Sequence, residues 1–263
     1  MVTGKDACRE HFARQSIANF NQQDYANKRL IIINHASYVL LDNANKSNSN
    51  TSTNKSNSNI NSNTIVEFHV DKDANSLTLG DLRNIARAMV PLDAVWTTWD
   101  DDDYHAPNYI STMMKELGRA DVLVWTRRLE FNANTGMVWK MELTTGFAPL
   151  MFARQDMRML YNRKDAMEDV HLLDVAKDLG KRIVVFQNEP KLYIRTVHEN
   201  NTSLYVDKYK TFIAPEPKKK GQYIESNIDA NDANIHRTFM SSYFKDGIEC
   251  YNKQATNNYV PPE

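Results

Sequence analysis

The sequence predicts an α/β fold in which strands and helices alternate, and three observations lead there. Residues 29–34 (RLIIIN) form an unbroken apolar run of strand length, the pattern of a strand covered on both faces. Further apolar runs and helical patterns succeed one another, and such alternation predicts parallel pairing through crossovers. Finally, four consecutive aspartates, Asp100 to Asp103, follow the run Val95, Trp96, Thr97, Thr98, Trp99 and precede a helix-like segment opening near Pro107. A charge cluster at the C-terminal end of a buried strand lies where open α/β sheets bind their ligands. Carboxylates packed this densely stay ionised most comfortably around a hard divalent cation, so a metal-bound phosphate ligand is the natural reading.

After Met1-Val2-Thr3, residues 9–22 put Phe12, Ser16, Ile17 and Phe20 on one helical face. Strand 29–34 is followed by a strand at 65–70, a helix at 79–90 and a strand at 94–99. Beyond these, 122–130, 137–143 and 149–153 read as strands, with Asn132-Ala133-Asn134-Thr135-Gly136 supplying hairpin turn chemistry. Residues 168–179 read as a helix with acids in its first turn. Residues 182–187 and 192–197 are strand-like, Pro215-Glu216-Pro217 and Lys218-Lys219-Lys220 mark a turn or linker, and a weak helical pattern runs over 227–244. Residues 43–63 are almost entirely Asn, Ser, Thr and Lys, too polar to offset the entropy of ordering, and are expected to form a disordered insert between two strands.

The chain has 263 residues, enough for one full core plus a small appendage. Lys plus Arg number 32 against 33 Asp plus Glu, a net charge of −1, which supplies no global basic field and argues against nucleic acid as a partner. The two cysteines, Cys8 and Cys250, stand in no metal-ligand spacing and no multi-cysteine framework, so a reducing compartment is the default. No apolar run approaches the ~18 residues of a membrane span and no secretory h-region opens the chain, so a soluble, cytoplasmic protein is expected.

Several segments together resemble the family-2 glycosyltransferases, inverting nucleotide-sugar transferases. SIANFNQQDYANKRLIIIN is similar to their first helix and second strand. LTLGDLRNIARAMVPLDAVWTTWDDDDYHAP resembles the Gly-x-x-Arg-Asn helix, the next strand and the Asp-x-Asp-Asp loop ending in Pro. With Glu168-Asp169 and His198-x-x-Asn201-Thr202, the resemblance covers about residues 1–205. It implies a GT-A fold: a Rossmann-like, mostly parallel sheet flanked by helices, a smaller mixed acceptor-side sheet, and a helical C-terminal tail. The expected domain spans 1–206, with 207–263 an extension packed on it.

By the same resemblance, Asp102 is a direct metal ligand. Asp100 faces the ribose or the metal's waters and can share the metal, Asp101 lies beside the nucleotide, and His198 sits near the diphosphate as a possible further ligand. Arg83 resembles a nucleotide-contacting arginine, Thr3 ends the first strand at the nucleotide, and Asn34 and His35 stand where the family has a pair of acids, one of which reads the base. Asp169 matches the general base and Glu168 an acceptor-positioning acid. Mn²⁺ or Mg²⁺ and a nucleoside-diphosphate sugar, UDP-linked by expectation, follow as cofactor and donor, with a glycan, protein or small molecule as acceptor. Trp125 and Trp139 are core residues before they are sugar-stacking platforms. Met1-Val2-Thr3 begins midway through what would be the central strand. A nucleotidyltransferase of similar fold and a catalytically silent sugar-nucleotide or glycan binder remain alternatives.

Overall fold

A computed structural model describes residues 1–3, 8–41, 64–70, 77–143, 151–164, 168–169, 171–198, 219–220, 223–226 and 230–250. The polar insert 43–63 and Asn201-Thr202 lie outside the described residues. The first strand, β1 (Val2–Thr3), leads to helix α1 (Arg9–Asn21) and then to β2 (Arg29–Asn34) and β3 (Thr64–His69). All three strands run parallel, in the order β1-β2-β3, with Val2 opposite Ile33 and Arg29 opposite Thr64. Ile32 and Ile33 are wholly buried, as the unbroken apolar run of β2 requires.

Helix α2 (Leu79–Ala88) begins at a reciprocal cap: Thr78 Oγ1 accepts from the Asp81 amide at 3.2 Å, and an Asp81 carboxylate oxygen accepts from the Thr78 amide at 3.1 Å. Strand β4 is only Val95–Trp96, shorter than the apolar run suggests, because residues 97–100 leave the ladder to carry the aspartates. Strand β5 (Tyr104–His105) and helix α3 (Tyr109–Leu117) follow. The single strand expected over 122–130 is two: β6 (Val122–Trp125) and β7 (Arg127–Asn132). The chain changes sheets at Thr126, whose amide donates to Phe186 O, while the Arg127 amide donates to the Asn188 side chain. β8 (Val138–Leu143) pairs antiparallel with β7 through the anticipated turn, in which Asn132 Oδ1 accepts from the amides of Asn134 and Thr135 and Gly136 takes φ 67°.

β9 (Met151–Arg154), helix α4 (Leu172–Asp178), β10 (Ile183–Phe186) and β11 (Tyr193–Val197) complete the body. Among the described residues the strands form three sheets. Beside the parallel one lie β10-β6-β9-β4, and β12 (Lys219–Lys220), β13 (Tyr223–Ser226), β8, β7, β11 and β5 in that order. The fold is GT-A-like, with its parallel pairing concentrated in β1–β3, β6/β10 and β7/β11.

The C-terminal helix α5 (Ala230–Tyr243) and a further turn over 245–250 pack on α1 and the third sheet. Met240 and Phe244 join Phe12, Leu129, Phe131 and Ile194 in one buried cluster. Gly247 faces Phe12 so closely that a Cβ would meet the ring at 2.5 Å. The two cysteines, which no spacing connects in the sequence, form a disulfide: Cys8, just before α1, to Cys250, 242 residues away. No helix among the described residues is long and apolar enough to cross a membrane.

His105 in β5 is stacked on Trp99 with ring centroids 3.7 Å apart, and burial drives its pKa down to about 3. Between pH 6.5 and about 3 the unfolded chain therefore carries a proton here that the native protein does not. Stability falls on acidification through that window, by about 1.4 kcal/mol per pH unit from this group. Asp101, raised to about 7 by burial, contributes the opposite slope, since its native form takes up the proton first. Urea melts of wild type and His105→Phe across pH 3.5–7 separate the two: the variant is expected to lose the His105 slope and keep the other. Parallel curves would refute the assignment.

Candidate functional site

The four aspartates occupy the turn after β4, and each has its own partners. Asp100 Oδ1 accepts from Arg83 Nη2 at 2.9 Å, and its backbone oxygen accepts from Ser16 at 3.1 Å. Asp101 receives two nitrogens of the Arg9 guanidinium, one of them Nε at 3.2 Å. Asp102 Oδ2 is shared by Arg9 Nη1 and His198 Nε2, both at 3.0 Å. Asp103 is structural: it accepts from the Tyr193 hydroxyl and from the Thr196 amide, tying the turn to β11.

Burial and mutual repulsion sort the carboxyl groups. Asp101 rises to about 7 through burial, against the pull of Arg9 and with a further push from Asp102 and Asp100. Burial would raise Asp102 as well, but Arg9 and then His198 hold it well below the usual carboxylate range. Asp103 stands well above that range, through burial and then its aspartate neighbours.

Glu168 and Asp169 reach the same place from a different part of the chain. Arg83 Nη1 is bound to Glu168, 85 residues away, while Nη2 holds Asp100, so one guanidinium joins the two acidic motifs. Burial raises both Glu168 and Asp169, with Arg83 opposing in each case. Arg83 itself is raised, the attraction of Asp100 and Glu168 outweighing the burial that would lower it. The pair does not open a helix as expected: α4 starts at Leu172, whose amide donates to Asp169 O. Glu168 and Asp169 thus sit on the segment before it, where their side chains are not committed to the first helical turn.

Gly80 explains how that segment is positioned. A Cβ there would lie 1.7 Å from the Asn162 carbonyl oxygen, and the Gly80 amide donates to Lys164 O at 3.0 Å. Only glycine lets α2 approach the strand of chain leading to Glu168. Gly80→Ala is expected to cost roughly 1–3 kcal/mol or more and to displace the acidic pair. A thermal melt unchanged from wild type would show that the segment yields without cost.

The remaining predicted residues divide. Thr3 Oγ1 donates to Asn34 Oδ1 at 3.0 Å at the end of β1. Asn34 is wholly buried and its hydrogen bonds are spent: Oδ1 also accepts from the Ala36 amide, and Nδ2 donates to Tyr38 O and Glu67. It organises the loop after β2. His35 beside it is buried. Trp125 is wholly buried in the core, in keeping with its packing role. A cleft of about 650 Å³ opens between the β2 edge and β4, with Met1, Ile31, Arg83, Thr97 and Asp100 among its walls.

Two site residues escaped the sequence reading. Arg9 carries no local signal, since an arginine in a surface helix is ordinary. Arg195 did carry one, as a lone charge inside the apolar strand YIRTV. Its side chain is 23% exposed and approaches Glu130 at 3.5 Å, and the attraction of Glu130 and then Asp103 raises it against the desolvation that would lower it.

Among the described residues no three His, Cys, Asp or Glu form a ready cage for a divalent cation. Asp102 and His198 converge nonetheless, and Mg²⁺-type sites take one or two protein ligands and fill the rest with phosphate oxygens and water. The donor set fits a cation that arrives with a diphosphate. Asp100 is turned to Arg83.

The fold that carries this cluster is GT-A-like. No family model matches the chain, and no curated protein does. Among solved structures, S. aureus TarS 1-349 is similar, with TM-score 0.52 and 16% identity over 74% of this chain and 59% of that one. The same TarS fragment in complex with UDP gives TM-score 0.51 at 16% identity, covering 74% of this chain and 60% of that one. A further TarS structure gives 0.51 at 16%, covering 74% and 36%. The chain therefore spans less than two thirds of the length of these neighbours.

Proposed function

We propose that the protein is a metal-dependent, inverting glycosyltransferase that moves a hexose or N-acetylhexosamine from a UDP-linked donor to a hydroxyl acceptor on a glycan, protein or small molecule. One observation carries the reading: Arg83 joins the Asp100–Asp102 run to Glu168-Asp169, so the acidic turn and a raised carboxylate pair lie together. The UDP held by one TarS structure supports the choice of nucleotide.

Asp169 takes the proton from the acceptor hydroxyl, and that oxygen bonds to the anomeric carbon on the face opposite the leaving diphosphate. The carbon–oxygen bond to the diphosphate breaks, the nucleotide keeps the electron pair, and the configuration inverts. Its raised pKa makes Asp169 a stronger base than an exposed aspartate. Glu168, fixed by Arg83, orients the acceptor. Asp102 and His198 would hold Mn²⁺ or Mg²⁺, which supplies charge neutralisation for the departing diphosphate when bound.

The test is release of free nucleoside diphosphate from a panel of nucleotide sugars with Mn²⁺. Asp102→Asn is the control, preferred to alanine because Arg9 and His198 both lean on that carboxylate. Release from one donor, lost with chelator and in the variant, supports the transferase. Pyrophosphate release from a nucleoside triphosphate would support the nucleotidyltransferase instead. Donor binding without release would support the silent binder.

A further inference from the structure

We propose that Arg9 is a resident counter-ion of the Asp101–Asp102 pair, which yields these carboxylates to the divalent cation and turns to the donor's diphosphate. This rests on the transferase reading for the identity of the donor. Arg9 places Nε and Nη2 on Asp101 and Nη1 on Asp102 Oδ2. The Asp102 oxygen it holds is also the one facing His198, and so the one a cation shared by those two residues would need. Guanidinium and metal ion therefore compete for the same atom.

Helix stability does not account for an arginine here. Arg9 is the first residue of α1, a 13-residue helix with no side-chain cap, and a cation is unfavourable at that end of the helix dipole. The same end favours an anion, so a diphosphate drawn to the site would meet both the α1 terminus and the released guanidinium. The machinery for an exchange is in place. Cys8 is pinned to Cys250, and Phe12, one turn on, stacks on His198 with centroids 5.5 Å apart. The backbone of this turn is held at both points, so the three-methylene stem of Arg9 provides the movement. At 17% side-chain exposure Arg9 lies on the solvent side of Asp101, which is 1% exposed. Its departure thus opens the carboxylates to an incoming ion.

Binding of Mn²⁺ alone, followed by calorimetry and by the rise in melting temperature, tests the first half without any turnover. Arg9→Met keeps the stem and removes the competing charge; it is expected to bind Mn²⁺ about tenfold more tightly than wild type. Arg9→Lys, which keeps the charge but cannot bridge two carboxylates, is expected to fall between them, and it serves as the test if Arg9→Met does not fold. Mn²⁺ affinity equal to or weaker than wild type in these variants overturns the proposal. With Mn²⁺ saturating, UDP is expected to bind Arg9→Met about tenfold more weakly; unchanged UDP affinity overturns the second half. A protein that passes the Mn²⁺ comparison yet releases no nucleotide from any donor overturns the transferase reading alone. One that turns over donor while Mn²⁺ affinity ignores Arg9 overturns this inference alone.

Discussion

Asp169→Asn is expected to lower transfer by about 10²- to 10⁴-fold while leaving UDP affinity and melting temperature close to wild type. The substitution keeps the shape of the side chain and removes its capacity to accept a proton. The backbone oxygen of Asp169, which caps the start of α4, is untouched. The contrast with Glu168→Gln is informative, because Glu168 is bound to Arg83 and a neutral amide there disturbs the link to Asp100 as well. Steady-state turnover and UDP titration on both variants separate the roles: Asp169→Asn is expected to lose turnover alone, Glu168→Gln to lose nucleotide affinity too. Full turnover in Asp169→Asn would remove it from the mechanism.

Breaking the Cys8–Cys250 bond is expected to have the largest effect on stability. It closes a loop of 242 residues, and the chain-entropy argument assigns such a cross-link on the order of 5 kcal/mol. The loss should show as a lower urea midpoint for Cys250→Ser, or for wild type in reductant, than for the oxidised protein. The substitution also loosens the helix that brings Met240 and Phe244 onto Phe12. Coincident unfolding curves with and without reductant would show that the packing of α5 suffices by itself.

Elements specified by their own residues were legible in the sequence. The apolar run of β2, the capped helix α2 and the Asn132–Gly136 turn each form close to where the local pattern puts them, and the aspartates do follow a strand. What failed depended on distant partners. Residues 122–130 read as one strand, yet Phe186 and Asn188 draw the chain from one sheet into another at Thr126. The acids at 168 and 169 mimic a helix start, but they serve Arg83 and the turn before α4. For the candidate site, the carboxylates, Arg83 and His198 were foreseeable as residue types and the structure brings them together. Arg9 was not, because its meaning lies in which carboxylates it meets. The surroundings of Asn34 were not legible for a related reason, since its four hydrogen bonds are set by Thr3, Ala36, Tyr38 and Glu67.

The disulfide also imposes an order of events during synthesis. At roughly 5–20 residues per second, the ribosome needs about 12–50 s after making Cys8 to reach Cys250. For that interval the first turn of α1 lacks its tether, and the helix that covers Phe12 does not exist. The strands and the aspartate turn can assemble meanwhile, but Arg9 gains its fixed backbone only when the last helix docks. The corner around Arg9 therefore matures only after residue 250 has been made, and a nascent chain stalled short of it would carry the acidic turn without its tethered arginine.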